Sequence, residues 1–126
     1  MKQTVHTDAA PAAVGAYSQA TTNGELVFTA GQIALSPEGD LLADASIAEQ
    51  TEQALDNLVA VLDEAGAAPG DVLKTTVFLA DIDDFDEMNE TYADYFEASP
   101  PARSAVAVRA LPKGAGVEVE AVAAVE

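Results

Sequence analysis

Between Pro101 and Ala123 the chain alternates with a period of two on either side of a turn, and no other segment constrains the fold so tightly. Pro100-Pro101-Ala102-Arg103-Ser104-Ala105-Val106-Ala107-Val108 reads as a buried strand interrupted by one fixed positive charge. After the turn-like Leu111-Pro112-Lys113-Gly114-Ala115-Gly116 comes a second strand, Val117-Glu118-Val119-Glu120-Ala121-Val122-Ala123. Parity puts Arg103, Ala105, Ala107 and Arg109 on one face of the first strand, with Ser104, Val106 and Val108 on the other. It sets Glu118 and Glu120 opposite Val117 and Val119. The two strands are expected to form an antiparallel hairpin in which the charges of both share a face.

Two readings of those charges are open. One is a cross-strand ion pair on a solvated sheet face, contributing roughly 0.2–1 kcal/mol. The other is a site in which the two-pronged guanidinium of Arg103 grips a substrate carboxylate while a glutamate handles a proton or a water. Composition does not choose between them.

At 126 residues the chain is expected to form one domain, 1–126, large enough for a core and small enough to gain from self-association. It has no cysteine, so disulfides, thiol nucleophiles and thiolate metal sites are excluded. Met1-Lys2-Gln3-Thr4-Val5-His6 carries no apolar leader, and no run approaches the length of a membrane span. The expectation is a soluble, cytoplasmic protein with no membrane partner.

Charge is the second unusual feature: 22 acidic against 5 basic side chains, a formal net charge of −17. Such a surface disfavours nucleic acid as a partner. A hydrophobic share of 49% with clear periodicity argues for a folded chain rather than a disordered acidic one. The composition, with three lysines in all, fits an acidic shell of the kind found in halophiles, where concentrated salt screens self-repulsion. An acidic mimic of nucleic acid, or a sink for a basic partner, is the competing reading. The acids are spread along the chain rather than gathered in a tail, which counts against it.

The rest of the chain shows no repeat or linker. Gly24 to Ile33 reads as a strand that meets glycine at Gly31, where backbone can come close to a ligand or another chain. Ser36 to Asp40 is a turn. Ser46-Ile47-Ala48-Glu49 matches a capping box, and Ile47, Leu55, Leu58, Leu62 and Ala65 follow a helical stripe that stops at Gly66. Val72 to Leu79 is a strand rich in β-branched residues. A second helix begins within Asp83-Asp84-Phe85, buries Phe85, Met88, Tyr92 and Tyr95 or Phe96, and ends before Pro100-Pro101. The order strand, strand, helix, strand, helix, strand, strand predicts an α+β fold, a mixed sheet packed by two helices. Val122 and Ala124 leave the far end of the last strand apolar on both faces, and another subunit is the economical cover.

Several chemistries drop out. His6 is the only histidine, so it cannot anchor a multi-histidine metal site, and its terminal position suits a surface residue better than a catalytic triad. Asp81 to Glu87 superficially resembles a calcium loop, but Asp86 and Tyr92 stand where an EF-hand needs its glycine and closing glutamate. The acids suit a helix N-terminus instead. Gly114-Ala115-Gly116 precedes a strand, so it is not a phosphate-binding fingerprint.

Taken together these residues resemble the Rid family, the reactive-intermediate deaminases of the RidA type. The resemblance runs over nearly the whole chain. It is carried by Ala10-Pro11-Ala12-Ala13-Val14-Gly15-Ala16-Tyr17-Ser18-Gln19, Thr29-Ala30-Gly31-Gln32-Ile33, Gln53 to Leu58, Lys74 to Leu79 and Met88-Asn89-Glu90-Thr91-Tyr92. Pro101-Ala102-Arg103-Ser104, Leu111 to Gly114 and Val117 to Ala121 complete it.

The resemblance implies a homotrimer of chorismate-mutase-like α+β subunits with ligand clefts between neighbouring chains. It also implies hydrolysis of 2-imino acids, formed from enamines such as 2-aminoacrylate, to 2-keto acids and ammonia. By position Arg103 matches the arginine that binds the substrate carboxylate and Glu118 the glutamate that positions or activates water. Tyr17, Gly31 and Asn89 match other cleft residues. Many relatives have a cysteine two residues after the arginine, whereas this chain has Ala105, whose backbone N–H remains able to help bind the carboxylate.

An imine carbon is already electrophilic, so the reaction needs orientation, an anion grip and one proton-handling group, with no metal or cofactor. Glu120 rivals Glu118 for the water. A non-catalytic trimer binding small carboxylates or a protein partner in the same clefts is the alternative function, and a chaperone-like acidic surface protein a third.

Overall fold

In chain order the secondary structure runs β1 (Gln3–Val5), β2 (Ala20–Thr22), β3 (Leu26–Thr29), α1 (Ile47–Glu64), β4 (Val72–Leu79), α2 (Phe85–Ala93), β5 (Ala102–Ala107) and β6 (Val117–Ala124). These elements come from a computed structural model that describes residues 1–125. The six strands form one mixed sheet in the order β1-β2-β3-β6-β4-β5, and the helices pack against each other and on one of its faces. The architecture is the expected α+β one.

The local signals act as the sequence predicts. Ser46 Oγ accepts the Glu49 backbone N–H at 3.1 Å and donates to the Glu49 carboxylate at 3.1 Å, which starts α1. Gly66, at φ +90°, lets the chain turn out of the helix as the Ala67 N–H returns to the Leu62 carbonyl. Between those ends Leu55, Leu58, Val61 and Leu62 are fully buried, each contributing about 1.5–3 kcal/mol by leaving water. Across from them lie Val77 and Leu79 of β4 and Val117 and Val119 of β6, on alternate positions of their strands. Asp81 caps the turn before α2 through the Asp83 N–H at 2.9 Å, so the acidic run is a helix entry.

The predicted hairpin is absent. β5 pairs in parallel with β4, and β6 runs antiparallel to the opposite edge of β4, so a whole strand separates the two segments. Residues 108–116 form a connection long enough to step across a strand. The crossover through α2 brings β5 to one edge of β4, and β6 fills the gap between β4 and β3, where it has ladder partners on both sides.

The same topology overturns the shared face. Arg103 is the ladder partner of Thr75 and Glu118 that of Phe78. Thr75 and Phe78 are three residues apart on one strand and point to opposite sides, so Arg103 lies on the helix-covered face and Glu118 on the open one.

Two smaller differences concern the first half. Three strands rather than two precede α1, because Gln3–Val5 and Ala20–Thr22 extend the sheet at its edge. The strand expected over 24–33 is regular only across Leu26–Thr29, and the chain touches the sheet again at Gln32, bridged to Val119. Among the described residues no helix is long and apolar enough to cross a membrane.

Candidate active site

Arg103 reaches from β5 toward α2. Its Nη1 donates to Asn89 Oδ1 at 2.7 Å, and its guanidinium carbon lies over the Tyr92 ring at 4.7 Å and the Phe85 ring at 5.3 Å from the centroids. Phe85, Asn89 and Tyr92 are spaced i, i+4 and i+7, so one face of α2 meets the arginine. No carboxylate joins them: among the described residues the one ion pair is His6 with Asp8, on the surface. The guanidinium borders a cavity of about 370 Å³ lined also by Asn89, Tyr92, Phe96, Pro100 and Pro101. Only one of its five N–H donors has a protein partner among the described side chains. That leaves it able to receive a carboxylate through paired hydrogen bonds. Ala105, two residues along β5 and paired with Val77, shares the Arg103 face.

Glu118 belongs to a different concavity, a groove of about 750 Å³ on the other side of the sheet. Val14, Tyr17, Gly31, Ile33 and Lys113 line it together with the Glu118 carboxylate. Burial pushes the Glu118 pKa up from the ordinary glutamate value, and repulsion from Glu120 adds to the rise. Gly31 is required by contact: a Cβ there would collide with the Glu118 carboxyl group. The Gln32–Val119 bridge holds this approach through reciprocal backbone hydrogen bonds of 2.8 and 3.0 Å.

Two buried amides shape the walls of that groove. The Gln19 side chain accepts the Thr7 N–H at 2.7 Å and donates to the carbonyls of Thr7 and Pro11 at 3.0 and 2.8 Å, folding back the segment that leads to Tyr17. Asn57, on α1, donates to the carbonyls of Ile33 and Leu35 at 3.2 and 2.7 Å. Tyr17 itself is exposed, held over the groove mouth by this loop.

The residues singled out from sequence thus fall into two sets. Asn89, Arg103 and Ala105 stand together, and Tyr17, Gly31 and Glu118 stand together on the opposite side of the sheet. Sequence reasoning assigned no role to Gln19, Asn57 or Lys113. A single glutamine in a loop, or a single asparagine within a helix, carries no mark of burial until the fold places loop carbonyls around it. The contact of Phe85 and Tyr92 with Arg103 did leave a trace in their helical spacing with Asn89.

Comparisons with known proteins identify the family. The model of a family described as endoribonuclease L-PSP matches residues 7–125. A rat protein named 2-iminobutanoate/2-iminopropanoate deaminase is 46% identical over 123 residues, covering 98% of this chain and 90% of that protein. A RutC family protein from Pyrococcus abyssi is 47% identical over 122 residues, covering 97% of this chain and 96% of that one. Among solved structures, a putative endoribonuclease from Thermotoga maritima superposes with a TM-score of 0.96 at 46% identity, over 100% of this chain and 99% of that one. The structure of E. coli TdcF with bound serine superposes with a TM-score of 0.93 at 38% identity, over 98% of this chain and 99% of that one.

Proposed function

The chain belongs to the Rid family, matched here as endoribonuclease L-PSP, and on that premise we propose that it hydrolyses 2-imino acids to 2-keto acids and ammonia in clefts between the subunits of a homotrimer. The relatives named deaminases support imine deaminase activity on a small-molecule substrate. One observation carries the finer reading: Arg103 and Glu118 lie on opposite faces of one sheet, each at its own concavity. A second copy that lays its Arg103 edge against the groove of the first unites them. The open face suits such a neighbour, since Phe28 and Val106 are 52% and 44% exposed on it.

In that cleft Arg103 of one subunit holds the substrate carboxylate, with Asn89 fixing one of its nitrogens. Glu118 of the neighbour takes a proton from water as the oxygen adds to the imine carbon, forming a tetrahedral amino alcohol. The same carboxyl group returns that proton to nitrogen, completing the amino alcohol, then takes the hydroxyl proton and passes it to the amine, so that the C–N bond breaks as the C=O bond forms and ammonia leaves. One water enters and one ammonia departs. The raised pKa of Glu118 suits this exchange, because it makes the carboxylate a stronger base for taking a proton from water while its acid form can still give that proton up to the more basic nitrogen. The carboxylate site needs no thiol, so Ala105 is compatible with the reaction.

The family description would also suggest RNA as a substrate, but the residues here fit that chemistry poorly. A net charge of −17 repels a phosphate backbone, and the single histidine faces Asp8 on the surface. Binding of small carboxylates without turnover would require Arg103 but would leave a half-buried glutamate against Gly31 without a task.

An assay that generates 2-iminopropanoate in situ with an amino-acid oxidase tests the proposal through the rate of imine loss. Arg103→Ala is expected to abolish acceleration, and Arg103→Lys to recover little, because one ammonium cannot make the bidentate contact. Glu118→Gln is expected to lower turnover by about 10²–10⁴-fold while keeping carboxylate binding. Wild-type rates in Arg103→Ala, or damage from Glu120→Gln in place of Glu118→Gln, would sink these assignments.

A further inference from the structure

Tyr92 is buried at 4% exposure, yet it carries a hydroxyl where phenylalanine or leucine would fill the same space with no polar group to satisfy. That hydroxyl is 2.7 Å from the hydroxyl of Thr75, which is itself fully buried. Thr75 is the ladder partner of Arg103, so the rung of the sheet that carries the arginine also anchors the aromatic ring beneath its guanidinium. We propose that Tyr92, locked by Thr75 and assisted by Phe85, is a positioning residue that presets the guanidinium of Arg103 for a substrate carboxylate. This inference rests on the carboxylate-binding role proposed for Arg103 above.

The physical reason lies in the side chain being held. A free arginine samples many rotamers, and a ligand that must order it loses affinity in doing so. Here the cationic carbon lies over two rings and one nitrogen is tied to Asn89, all three from one face of α2. The hydroxyl pair prevents the Tyr92 ring from drifting with α2, since any shift of the helix along the sheet would break a buried hydrogen bond. The Tyr92–Phe96 contact, with centroids 4.8 Å apart, supports the ring from its other neighbour. Burial raises the Tyr92 pKa, so the phenol keeps its proton and the lock persists across the working range.

Two measurements on the full chain test this, using Thr75→Val, Tyr92→Phe, Tyr92→Leu and the double variant Thr75→Val/Tyr92→Phe. The first is the NMR signature of Arg103 in the ligand-free protein: ring-current-shifted side-chain protons and slow rotation about Nε–Cζ. The second is affinity for pyruvate, an unreactive product carboxylate, beside KM and kcat for imine hydrolysis. Tyr92→Leu is expected to lose the Arg103 signature, weaken pyruvate binding by about 3- to 30-fold and raise KM with little change in kcat. Thr75→Val and Tyr92→Phe are expected to weaken pyruvate binding equally and more mildly, with the double variant no worse than either.

A folded Tyr92→Leu protein with the wild-type signature and pyruvate affinity overturns the proposal. If that variant fails to fold, wild-type behaviour in both hydroxyl variants overturns it equally. If the wild-type protein shows the Tyr92-dependent signature but binds no pyruvate, the clamp stands and the carboxylate-binding reading of Arg103 fails.

Discussion

The two faces of the sheet obey the same alternation but end differently. On the covered face, Val77, Leu79, Val117 and Val119 are fully buried against the helices, and Arg103 is fixed at the margin by three residues of α2. On the open face the same strands present Phe78, Val106, Glu118 and Glu120, and β3 adds an exposed Phe28. One face completes its packing within the chain. The other offers apolar surface, a partly desolvated acid and a wide groove that none of the described residues covers. On the proposed mechanism, a site split between them acts when a second copy brings its covered-face arginine to the open-face acid.

The sharpest way to break this comparison is complementation. Arg103→Ala and Glu118→Gln chains are each expected to be inactive alone. In a mixed trimer one of the three junctions joins an intact Arg103 to an intact Glu118. Random mixing of equal amounts is therefore expected to restore about a quarter of wild-type activity. No recovery in trimers shown by mass spectrometry to be mixed would mean that both groups act from one chain.

Gly31→Ala probes the open-face half alone. The added methyl must displace the Glu118 carboxyl group, so imine hydrolysis is expected to fall by about 10-fold or more while the Arg103 NMR signature stays at its wild-type position. Equal disturbance at both ends would show that the halves are not independent in the free protein.

The pH profile sharpens the role of the acid pair. Glu118 has a raised pKa, so protonation removes the base at a higher pH than for an ordinary glutamate, and the acid limb of kcat/KM is expected above the usual carboxylate range. Glu120→Gln removes the smaller, repulsive cause and is expected to move that limb to lower pH without abolishing turnover. For stability the sign is the reverse of a salt-bridged acid. A carboxyl with a raised folded pKa favours the fold below its unfolded value, and that contribution is lost as pH rises through the folded one. Glu118→Gln is therefore expected to flatten the fall in stability over that interval, read by denaturant midpoints.

The smallest expected effect concerns salt. Each chain carries −17, so the proposed trimer concentrates three such charges and low salt works against its interface. Raising salt from 0.1 to 1 M shortens the screening length from about 10 to about 3 Å. Trimer content by light scattering is expected to rise with salt, and activity to follow it. A trimer indifferent to salt would remove charge from the account, and an active monomer would remove the shared cleft.

The sequence by itself determined the elements whose causes are local. Ser46 and Glu49 mark the start of α1 and Gly66 its end; the β-branched run 72–79 is β4; Asp81 opens the way into α2. Alternation also set which residues of β5 and β6 share a side, because a period of two is a property of each strand alone. The resemblance to the Rid family, rather than alternation, pointed to Tyr17, Gly31 and Asn89 and to the roles of Arg103 and Glu118. What only the tertiary structure decided is how those strands relate. β4 lies between β5 and β6, which turned an expected hairpin with a shared charged face into two strands whose charged residues point apart. Pairing between distant strands depends on how edges and helix-covered faces are filled across the whole sheet, and no window of sequence contains that competition.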